Sequence, residues 1–372
     1  REPDRMDGSD APTSGVEALA VATDATGGIY VGGRMRQGSR GPDAQFTAFV
    51  ARLDGDGNLL WSRPFGSGSR AIDEVRALAV DRSGNVYAAG VAGGYFPRRP
   101  PSGGFRSFVV KLSAKGEIAW SQQFSGDPAA LAEGAFAVAV GGGGEAIAAG
   151  VGQGSLFKDA GRRGVGFMAR LPAAGDAPRL VPLAQSKEDD GILAAALSAD
   201  GRSLYVAGTS PTINGPQVMA SGVVSRIEVD SGRVAWTRRI DAQRIAPNSL
   251  VGDRAMAVAV HPLAIAVSAD GASVAVAGRS RGDLPGAPFP HVPGRPLHPA
   301  AAAFVSVYSA AGDLQWTRQW KSTAVDSLES VAQGIAYIGD RLVVVGQSGG
   351  SLVDNTVTTG AYAFMATMPA RP

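Results

Sequence analysis

The chain has 372 residues, with 35 Lys plus Arg against 33 Asp plus Glu and a formal net charge of +2 at pH 7. Because this imbalance is small, we expect no nucleic acid among its partners. It has no Cys, which excludes disulfides and thiolate metal sites. Apolar runs stop within about ten residues, short of the roughly 20 that a membrane-spanning helix needs, so no membrane span is expected.

The first residues of the chain are polar and rich in turn formers. The numbering starts at Arg1, and a stretch like Arg1 to Ser14 is what we expect at the start of a mature chain whose export signal has been removed. Trimming of the N-terminus explains the same observation equally well. We treat residues 1–15 as an N-terminal segment that could take part in ring closure, although only Met6 resembles a strand residue.

A first half-motif recurs along the chain. It is an apolar run, a turn of Asp, Gly, Ser or Asn, and a second apolar run that ends in Gly, as in RALAVDRSGNVYAAG (Arg76 to Gly90). Its closing glycines are Gly33, Gly90, Gly150, Gly208, Gly278 and Gly346. Apolar runs of this length between turn signals are typical of strands rather than helices. Each copy therefore predicts a β-hairpin.

A second half-motif alternates with the first and carries Phe, Leu and Trp. SFVVKLSAKGEIAW (Ser107 to Trp120) is one copy; in the third copy Leu180 stands in place of Trp, and the sixth, AYAFMATM, stops after one strand. Two hairpins per repeat predict four strands, hence an all-β, six-bladed β-propeller of four-stranded antiparallel blades. We expect the small-residue hairpin inside and the Trp-bearing hairpin outside.

The predicted propeller is a single domain over residues 16–372. Its blades lie at approximately 16–74, 75–133, 134–190, 191–255, 256–330 and 331–372. Blade five is irregular, because AMAVAV (Ala255 to Val260) precedes its better-matching inner hairpin, so its first strand is bulged, extended or misassigned. Blade six lacks a fourth strand, which we expect the N-terminal segment to supply.

The pairing of AVDRSGNVYAAG with SFVVKLSAKGEIAW, separated by a loop with Tyr95-Phe96-Pro97, resembles the bacterial β-propeller repeats known as SBBP repeats. The resemblance implies an exported protein in the periplasm, at the cell surface or outside the cell, and implies no particular chemistry. The stretch RIEVDSGRVAW (Arg226 to Trp236) also resembles a repeat of pyrroloquinoline-quinone propellers. Only one repeat shows that pattern well, and we expect no cofactor.

The two faces of such a propeller are unequal. The turns within hairpins lie on one face, whereas the loops between hairpins and between blades lie on the other, which we call the long-loop face. Its mid-blade loops are predicted at Arg34 to Gln45, Gly94 to Arg106, Leu156 to Gly166, Thr209 to Ser221, Arg279 to Ala302 and Gln347 to Gly360. Loops on a rigid scaffold commonly carry binding residues, so the candidate site is placed here.

Basic and acidic residues are predicted to lie in different loops of the long-loop face. The candidate binding residues are Arg34, Tyr95, Arg98, Arg99, Arg106, Arg162, Arg163, Arg279, Arg281, Arg295 and Trp320, with Arg36 and Arg40 nearby. The blade-to-blade loops hold Asp73, Glu74, Asp127, Glu133, Glu188, Asp189, Asp190, Asp253, Asp326 and Glu329. One hypothesis is an arginine surface for carboxylates, phosphates or acidic glycans. The alternative is that these arginines pair with the acidic residues of neighbouring loops.

The sequence motifs give little support for metal binding or catalysis. Asp54-Gly55-Asp56-Gly57-Asn58 begins like a Ca²⁺ loop, but Leu59 and Phe65 stand where an EF-hand needs Gly and Glu, so a hairpin turn is predicted. His291 and His298 have only Asp283 as a nearby carboxylate. No nucleophile elbow, P-loop or zinc-protease motif is present. We predict no catalytic or metal residues.

Tryptophan also recurs with the blades. Trp61, Trp120, Trp236 and Trp316 repeat in the outer strands, which predicts packing, and Trp320 breaks the period. We expect a non-enzymatic exported propeller that binds a protein partner or a larger surface assembly through its long-loop face. The alternatives are a carbohydrate-binding propeller and, less favoured, a glycoside hydrolase or lyase with acidic residues near the central channel.

Overall fold

A computed structural model describes most of the chain. The described residues are 15–37, 45–67, 72–94, 105–124, 133–152, 164–183, 191–214, 217–243, 257–258, 260–288, 290, 300–321, 329–349, 352 and 362–371. They group into two compact units, Arg1–Gly134 and Ala135–Pro372. Residues 1–14, the expected source of a closing strand, lie outside the described residues.

The first unit holds two blades, each an antiparallel sheet whose strands follow chain order. Blade one consists of β1 (Val16–Thr23), β2 (Ile29–Gln37), β3 (Gln45–Leu53) and β4 (Leu59–Phe65). Blade two consists of β5 (Glu74–Val80), β6 (Val86–Ala92), β7 (Arg106–Leu112) and β8 (Ile118–Phe124). Between the two blades lies a core that includes Tyr30, Val50, Val75 and Phe108.

The second unit holds four blades. Blade three has β9 (Gly134–Val140), β10 (Ala146–Gly152), β11 (Val165–Leu171) and β12 (Arg179–Pro182), and blade four has β13 (Gly191–Leu197), β14 (Ser203–Asn214), β15 (Gln217–Glu228) and β16 (Val234–Ile240). Then come β17 (Ala257–Val258), blade five with β18 (Val260–Val267), β19 (Ser273–Ser280), β20 (Ala302–Ser309) and β21 (Leu314–Trp320), and blade six with β22 (Ser330–Ile338), β23 (Arg341–Ser348) and β24 (Tyr362–Pro369).

These sheets confirm the predicted fold, a six-bladed, all-β propeller. The described residues contain no helix, and blade six has three strands among them, in the order β22-β23-β24. The irregular segment before blade five is explained by β17, which pairs in parallel with β15 of blade four through Met219↔Ala257 and Ala220↔Val258. That segment therefore extends the sheet of blade four, and blade five begins at Val260.

The hairpin turns explain the Asp, Gly and Asn that punctuate the repeats. In blade two, the Asp81 carboxylate accepts the backbone N–H groups of Ser83 and Asn85, both at 2.9 Å, and Gly84 adopts a φ of 77°. A side chain on Gly84 would be strained at that angle. The turn between β3 and β4 of blade one is closed in the same way. There the Asp54 carboxylate accepts the backbone N–H of Asp56 at 3.0 Å and that of Asn58 at 2.8 Å. The predicted hairpin turn is present here, between β3 and β4.

A β-bulge accounts for the glycine that ends the first half-motif. In five blades the register of the first strand slips by one residue opposite this glycine. A side-chain carbon on Gly33, Gly90, Gly208, Gly278 or Gly346 would collide with a backbone carbonyl oxygen of that bulge. The periodic Gly therefore permits close approach of the two innermost backbones.

The periodic Trp residues pack one blade on the next, which confirms the prediction of a packing role. Trp61 donates its indole N–H to the Ala114 carbonyl at 3.0 Å, and Trp236 does the same to Ala310 at 3.0 Å. Each indole also lies against the turn glycine of the neighbouring blade, Gly116 or Gly312. In blade three the corresponding contact, with Gly232, is made by Val181. The register places Arg179 opposite Arg170, so Val181 replaces Trp in this contact only, and Leu180, opposite Ala169, takes neither position.

Candidate functional site

The long-loop face carries one large ordered feature, a hairpin in blade four. The segment Thr209 to Ser221 was predicted as a loop, but β14 and β15 continue through it as paired strands as far as Asn214↔Gln217. Both strands have 12 residues, whereas the matching strands of the other blades have 7 to 9. At about 3.4 Å per residue, the three to five extra pairs extend the sheet by about 10 to 17 Å relative to the other blades.

Arg34 lies near the end of β2 and not in a loop, and it is fully ion-paired. Its guanidinium contacts the Glu17 carboxylate at 2.6 Å and the Glu74 carboxylate at 3.0 Å. Glu74 begins blade two, is almost completely buried, and also contacts Arg76 at 2.5 Å. This cluster therefore ties the end of one blade to the start of the next, as the alternative hypothesis for the arginines predicts.

Arg36 lies beside this cluster but differs from Arg34 in the partners of its guanidinium group. The guanidinium groups of Arg34 and Arg36 both lie over the ring of Phe46, at 4.6 Å and 5.5 Å from its centre. Within the described part of the chain, no acidic residue pairs with Arg36, and its Nε atom is buried without a hydrogen-bond partner. Cation–π contact with Phe46 positions this charge without neutralising it.

Blade five repeats the arrangement of blade one. Arg279, in the last residues of β19, and Arg281 both contact Glu329, at 3.5 Å and 3.0 Å, and Glu329 directly precedes the first strand of blade six. The position of Glu17 is taken by His261, whose Nδ1 atom lies 3.4 Å from Arg279. Burial, and then the charges of Arg279 and Arg281, lower the pKa of His261 to about 4. The imidazole is therefore neutral at pH 7.

Two further candidate residues have side chains that are buried or packed against another residue of the chain. Arg106 begins β7 and is only 7% exposed, so its guanidinium is not offered to a ligand at the surface. Trp320 packs edge-to-face on Phe364 of blade six, with ring centres 6.1 Å apart. The other candidate residues lie outside the described residues: Tyr95, Arg98, Arg99, Arg162, Arg163 and Arg295.

Sequence reasoning missed a pair of glutamines that hold the start of the long loops. Gln123 donates its side-chain N–H to the Gly94 carbonyl at 2.9 Å, and Gln319 donates to the Ala287 carbonyl at 2.6 Å. Both follow the periodic Trp by three residues, in Trp-Ser-Gln-Gln and Trp-Thr-Arg-Gln. This shared spacing is the signal that could have identified them. They anchor the loop bases of blades two and five to the outer strands.

Asp73 is the acidic residue with the strongest signs of a special environment. It is buried, and this burial raises the pKa of its carboxyl group despite hydrogen bonds from Ser67 and Gly93. Its carboxylate accepts the N–H of Ser67 at 2.7 Å and that of Gly93 at 3.0 Å. Asp73 therefore fastens the linker between blades one and two to the end of β6. Asp189 and Asp190, two adjacent acidic residues of a blade-to-blade loop, lie outside the described residues.

Metal and membrane sites were searched over the described residues alone. No three His, Asp or Glu side chains there come together in a way that could hold a metal ion. No described segment forms a helix that could serve as a membrane span.

Comparison with known families identifies the repeat. Residues 60–97 match the model of the SBBP β-propeller repeat, from β4 of blade one to just beyond β6 of blade two. The match includes AVDRSGNVYAAG, the first of the two segments that carry the resemblance to SBBP repeats, and it confirms that resemblance. No curated protein matches the chain.

Two solved structures are similar to this chain at low sequence identity. The WD40 repeats of RRP9 are 11% identical with a TM-score of 0.41, and the alignment covers 88% of this chain and 87% of that one. A candidate 6-phosphogluconolactonase from Bacteroides fragilis is 13% identical with a TM-score of 0.47, covering 89% and 79%. Similarity at this level carries no information about activity.

Proposed function

We propose that this SBBP-repeat propeller is a non-enzymatic interaction module of an exported assembly, and that it binds a protein partner through its long-loop face. The observation that carries the proposal is the blade-four hairpin. It is a stiff, backbone-paired hairpin that is three to five pairs, or about 10 to 17 Å, longer than the matching described hairpins of the other blades. Such a projection suits contact with a large partner surface better than enclosure of a small ligand.

The ion pairs of the long-loop face support the same proposal. Arg34, Arg279 and Arg281 each contact a carboxylate that lies at or next to the start of the following blade. Paired in this way they stiffen the blade junctions, and their charges are not available to a free anion. Export is suggested by the SBBP resemblance, and fractionation of the native cells with antibody detection tests it directly.

The test is removal of the hairpin tip. Residues 211–220 are replaced by Asn-Gly, which favours a tight turn between the two strands. The tagged variant is purified from the native source and its partner is quantified against the wild-type chain by mass spectrometry. Asp56→Ser, in an exposed turn on the opposite face, is the control. We expect the partner to be lost from the tip variant alone. Retention of the partner by the tip variant, or a wild-type chain that purifies as a lone monomer, contradicts the proposal.

Arg36 favours a second candidate function, recognition of an acidic glycan. Its guanidinium is held over Phe46 without an acidic partner among the described residues. Binding to an array of sulfated and uronic-acid glycans tests this, with Arg36→Gln as the variant and Arg34→Gln as the control. Equal binding by both variants, or no binding by the wild type, contradicts it.

A further inference from the structure

A cavity of about 260 Å³ lies between blades four and five of the second unit, beside their outer strands β16 and β21. Its volume is just below the roughly 300 Å³ at which pockets for drug-sized ligands begin, so a ligand of about monosaccharide size fits it. The polar and charged residues that line it are Arg238, Arg239, Ser306, Tyr308, Asp313 and Thr317.

One wall of this cavity is a short turn that is bonded to blade four. Gln243, beyond the end of β16, donates its backbone N–H to the Asp283 carbonyl and accepts the Asp283 N–H, both at 2.8 Å. Within the turn, Leu284 and Ala287 exchange backbone hydrogen bonds at 3.0 Å and 2.9 Å. Pro285 of the same turn lines the cavity. The wall is therefore fixed by backbone bonds, and a ligand meets a site that is already formed.

Tyr308 distinguishes this cavity from the other blade junctions. It pairs with Val274 near the end of β20. A hydrogen bond links its hydroxyl with Ser306, whose Oγ atom lies 3.0 Å from Oγ1 of Thr317. The counterparts of Tyr308 in the other blades are apolar, namely Leu53, Leu112, Leu171, Ile227 and Met368. Since an apolar side chain satisfies the packing at this position, a buried row of three hydroxyl groups indicates a polar ligand.

Arg238 brings a positive charge to the cavity that no carboxylate among the described residues neutralises. Its Nε atom donates to the Gly312 carbonyl at 2.8 Å, and its guanidinium lies over the Trp236 ring, 5.6 Å from the centre. These contacts position the charge and leave it uncompensated. Arg239, in contrast, lies 3.5 Å from the Asp241 carboxylate. An anionic group of a ligand is therefore favoured beside Arg238.

The rest of the lining restricts the kind of anion. Asp313 presents a carboxylate, which repels a small inorganic anion but accepts hydrogen bonds from hydroxyl groups. Ile240, Pro285 and Leu314 add apolar surface. A sugar ring with one carboxylate matches this set, because its carboxylate suits Arg238, its hydroxyl groups suit Asp313 and the hydroxyl row, and its C–H groups suit the apolar residues.

We propose that this cavity binds one hexuronate unit, either as a free sugar acid or at the end of a chain. Arg238 holds the carboxylate, and the hydroxyl groups of Tyr308, Ser306 and Thr317 orient the ring. The proposal goes beyond the proposed function, since it uses neither the blade-four hairpin tip nor Arg36 of blade one.

Three ligands test the chemistry of the site. Galacturonate, its trimer and the neutral sugar galactose are titrated separately into the full-length protein by isothermal titration calorimetry. We expect saturable binding of galacturonate or its trimer, and binding at least about tenfold weaker for galactose, which lacks the carboxylate. Tighter binding of the trimer identifies a chain end as the ligand, and equal affinity identifies the free sugar acid. An absence of binding of both acids at millimolar concentration, or equal affinity for galactose, overturns the proposal.

Two pairs of variants locate the site. Arg238→Gln removes the charge, and its control is Arg318→Gln, at the same strand position in blade five, where the guanidinium lies 5.5 Å from the ring centre of Trp316. Tyr308→Phe removes one hydroxyl group, and its control is Tyr205→Phe, which belongs to the same hydrophobic core but does not line the cavity. We expect affinity for the acid to fall at least about tenfold in Arg238→Gln and about threefold in Tyr308→Phe, with both controls unchanged.

Circular dichroism checks that all four variants are folded. Tyr308→Phe keeps its ring in the core, so it tests the site even where Arg238→Gln fails to fold. Unchanged affinity in Tyr308→Phe, or equal losses in a variant and its control, overturns the proposal. Binding of the acid must persist in the hairpin-tip variant and in Arg36→Gln, so failure of the proposed function is distinguishable from failure here.

Discussion

The carbonyl oxygen of Gly191 occupies the space that a side-chain carbon on Gly208 would need. A second backbone atom obstructs the same position, because the Cα atom of Ile192 in the bulged strand β13 lies 3.0 Å from it. We expect Gly208→Ala to lower the free energy of unfolding by at least about 2 kcal/mol, since overpacking against a backbone cannot be relieved by a rotamer change. Urea unfolding followed by circular dichroism measures it.

The control for this variant is Gly142→Ala. Gly142 lies in a turn of the same unit and has open space around the position of an added side-chain carbon. We expect a change within about 0.5 kcal/mol, as for most surface substitutions. Equal effects of the two variants would show that the bulge does not require glycine.

Two substitutions of Trp236 separate the stability contributed by its hydrogen bond from that contributed by its packing. Trp236→Phe removes the N–H donated to Ala310 at 3.0 Å but keeps an aromatic ring against Gly312. We expect a loss of about 1 kcal/mol for Trp236→Phe and about 3 to 5 kcal/mol for Trp236→Ala. Thermal unfolding by far-ultraviolet circular dichroism reports both. Similar losses in the two variants would mean that the ring contributes little.

Glu17 and Glu74 form a matched pair, because both contact Arg34. Glu74 is buried and contacts two arginines, whereas the Glu17 side chain is 45% exposed. We expect Glu74→Gln to destabilise the protein by about 2 kcal/mol, because two charge-assisted contacts to a buried carboxylate are weakened. Glu17→Gln should cost less than about 0.5 kcal/mol and lose its effect in high salt. Chemical denaturation at low and high salt compares them, and the reverse order would refute the inter-blade role of Glu74.

His261 gives a pH prediction with a definite sign. Its pKa falls from 6.5 to about 4 on folding, so between those values the unfolded chain binds more protons than the native state. The free energy of unfolding should therefore decrease as the pH falls from 6.5 towards 4. We expect a flatter pH dependence in His261→Gln, and a ring-proton titration midpoint near 4 by NMR in the wild type. A midpoint near 6.5 would show that Arg279 and burial do not act on this ring.

The repeated features were predictable from sequence, because each has a local physical cause. The closing Gly, the Asp of the turns and the outer Trp recur at fixed positions, and the structure gives each the same contacts in several blades. The pairing of Arg34 with Glu74, and of Arg279 and Arg281 with Glu329, also follows from the alternation of charge between mid-blade and blade-to-blade segments.

Features that occur once were not predictable. Pro211 and Asn214-Gly215 are turn and loop signals, so the segment Thr209 to Ser221 was taken for a loop. Strands form there because residues 210–214 of β14 pair with residues 217–221 of β15, and because β17 pairs with Met219 and Ala220. Local sequence propensity does not predict such pairing between segments. The parallel pairing of β17 leaves no signature in a single short apolar run.

The SBBP repeat at residues 60–97 begins in an outer strand of one blade and ends beyond the inner hairpin of the next. A genetic duplication or loss of one full period in this frame, β4 to β7, carries a Trp strand, the glycine-bearing hairpin that follows it and the third strand of that blade. Such an event leaves every internal sheet with four strands, since each new junction is made within a blade rather than between blades. A chain built from this unit can therefore gain or lose blades without passing through a broken intermediate.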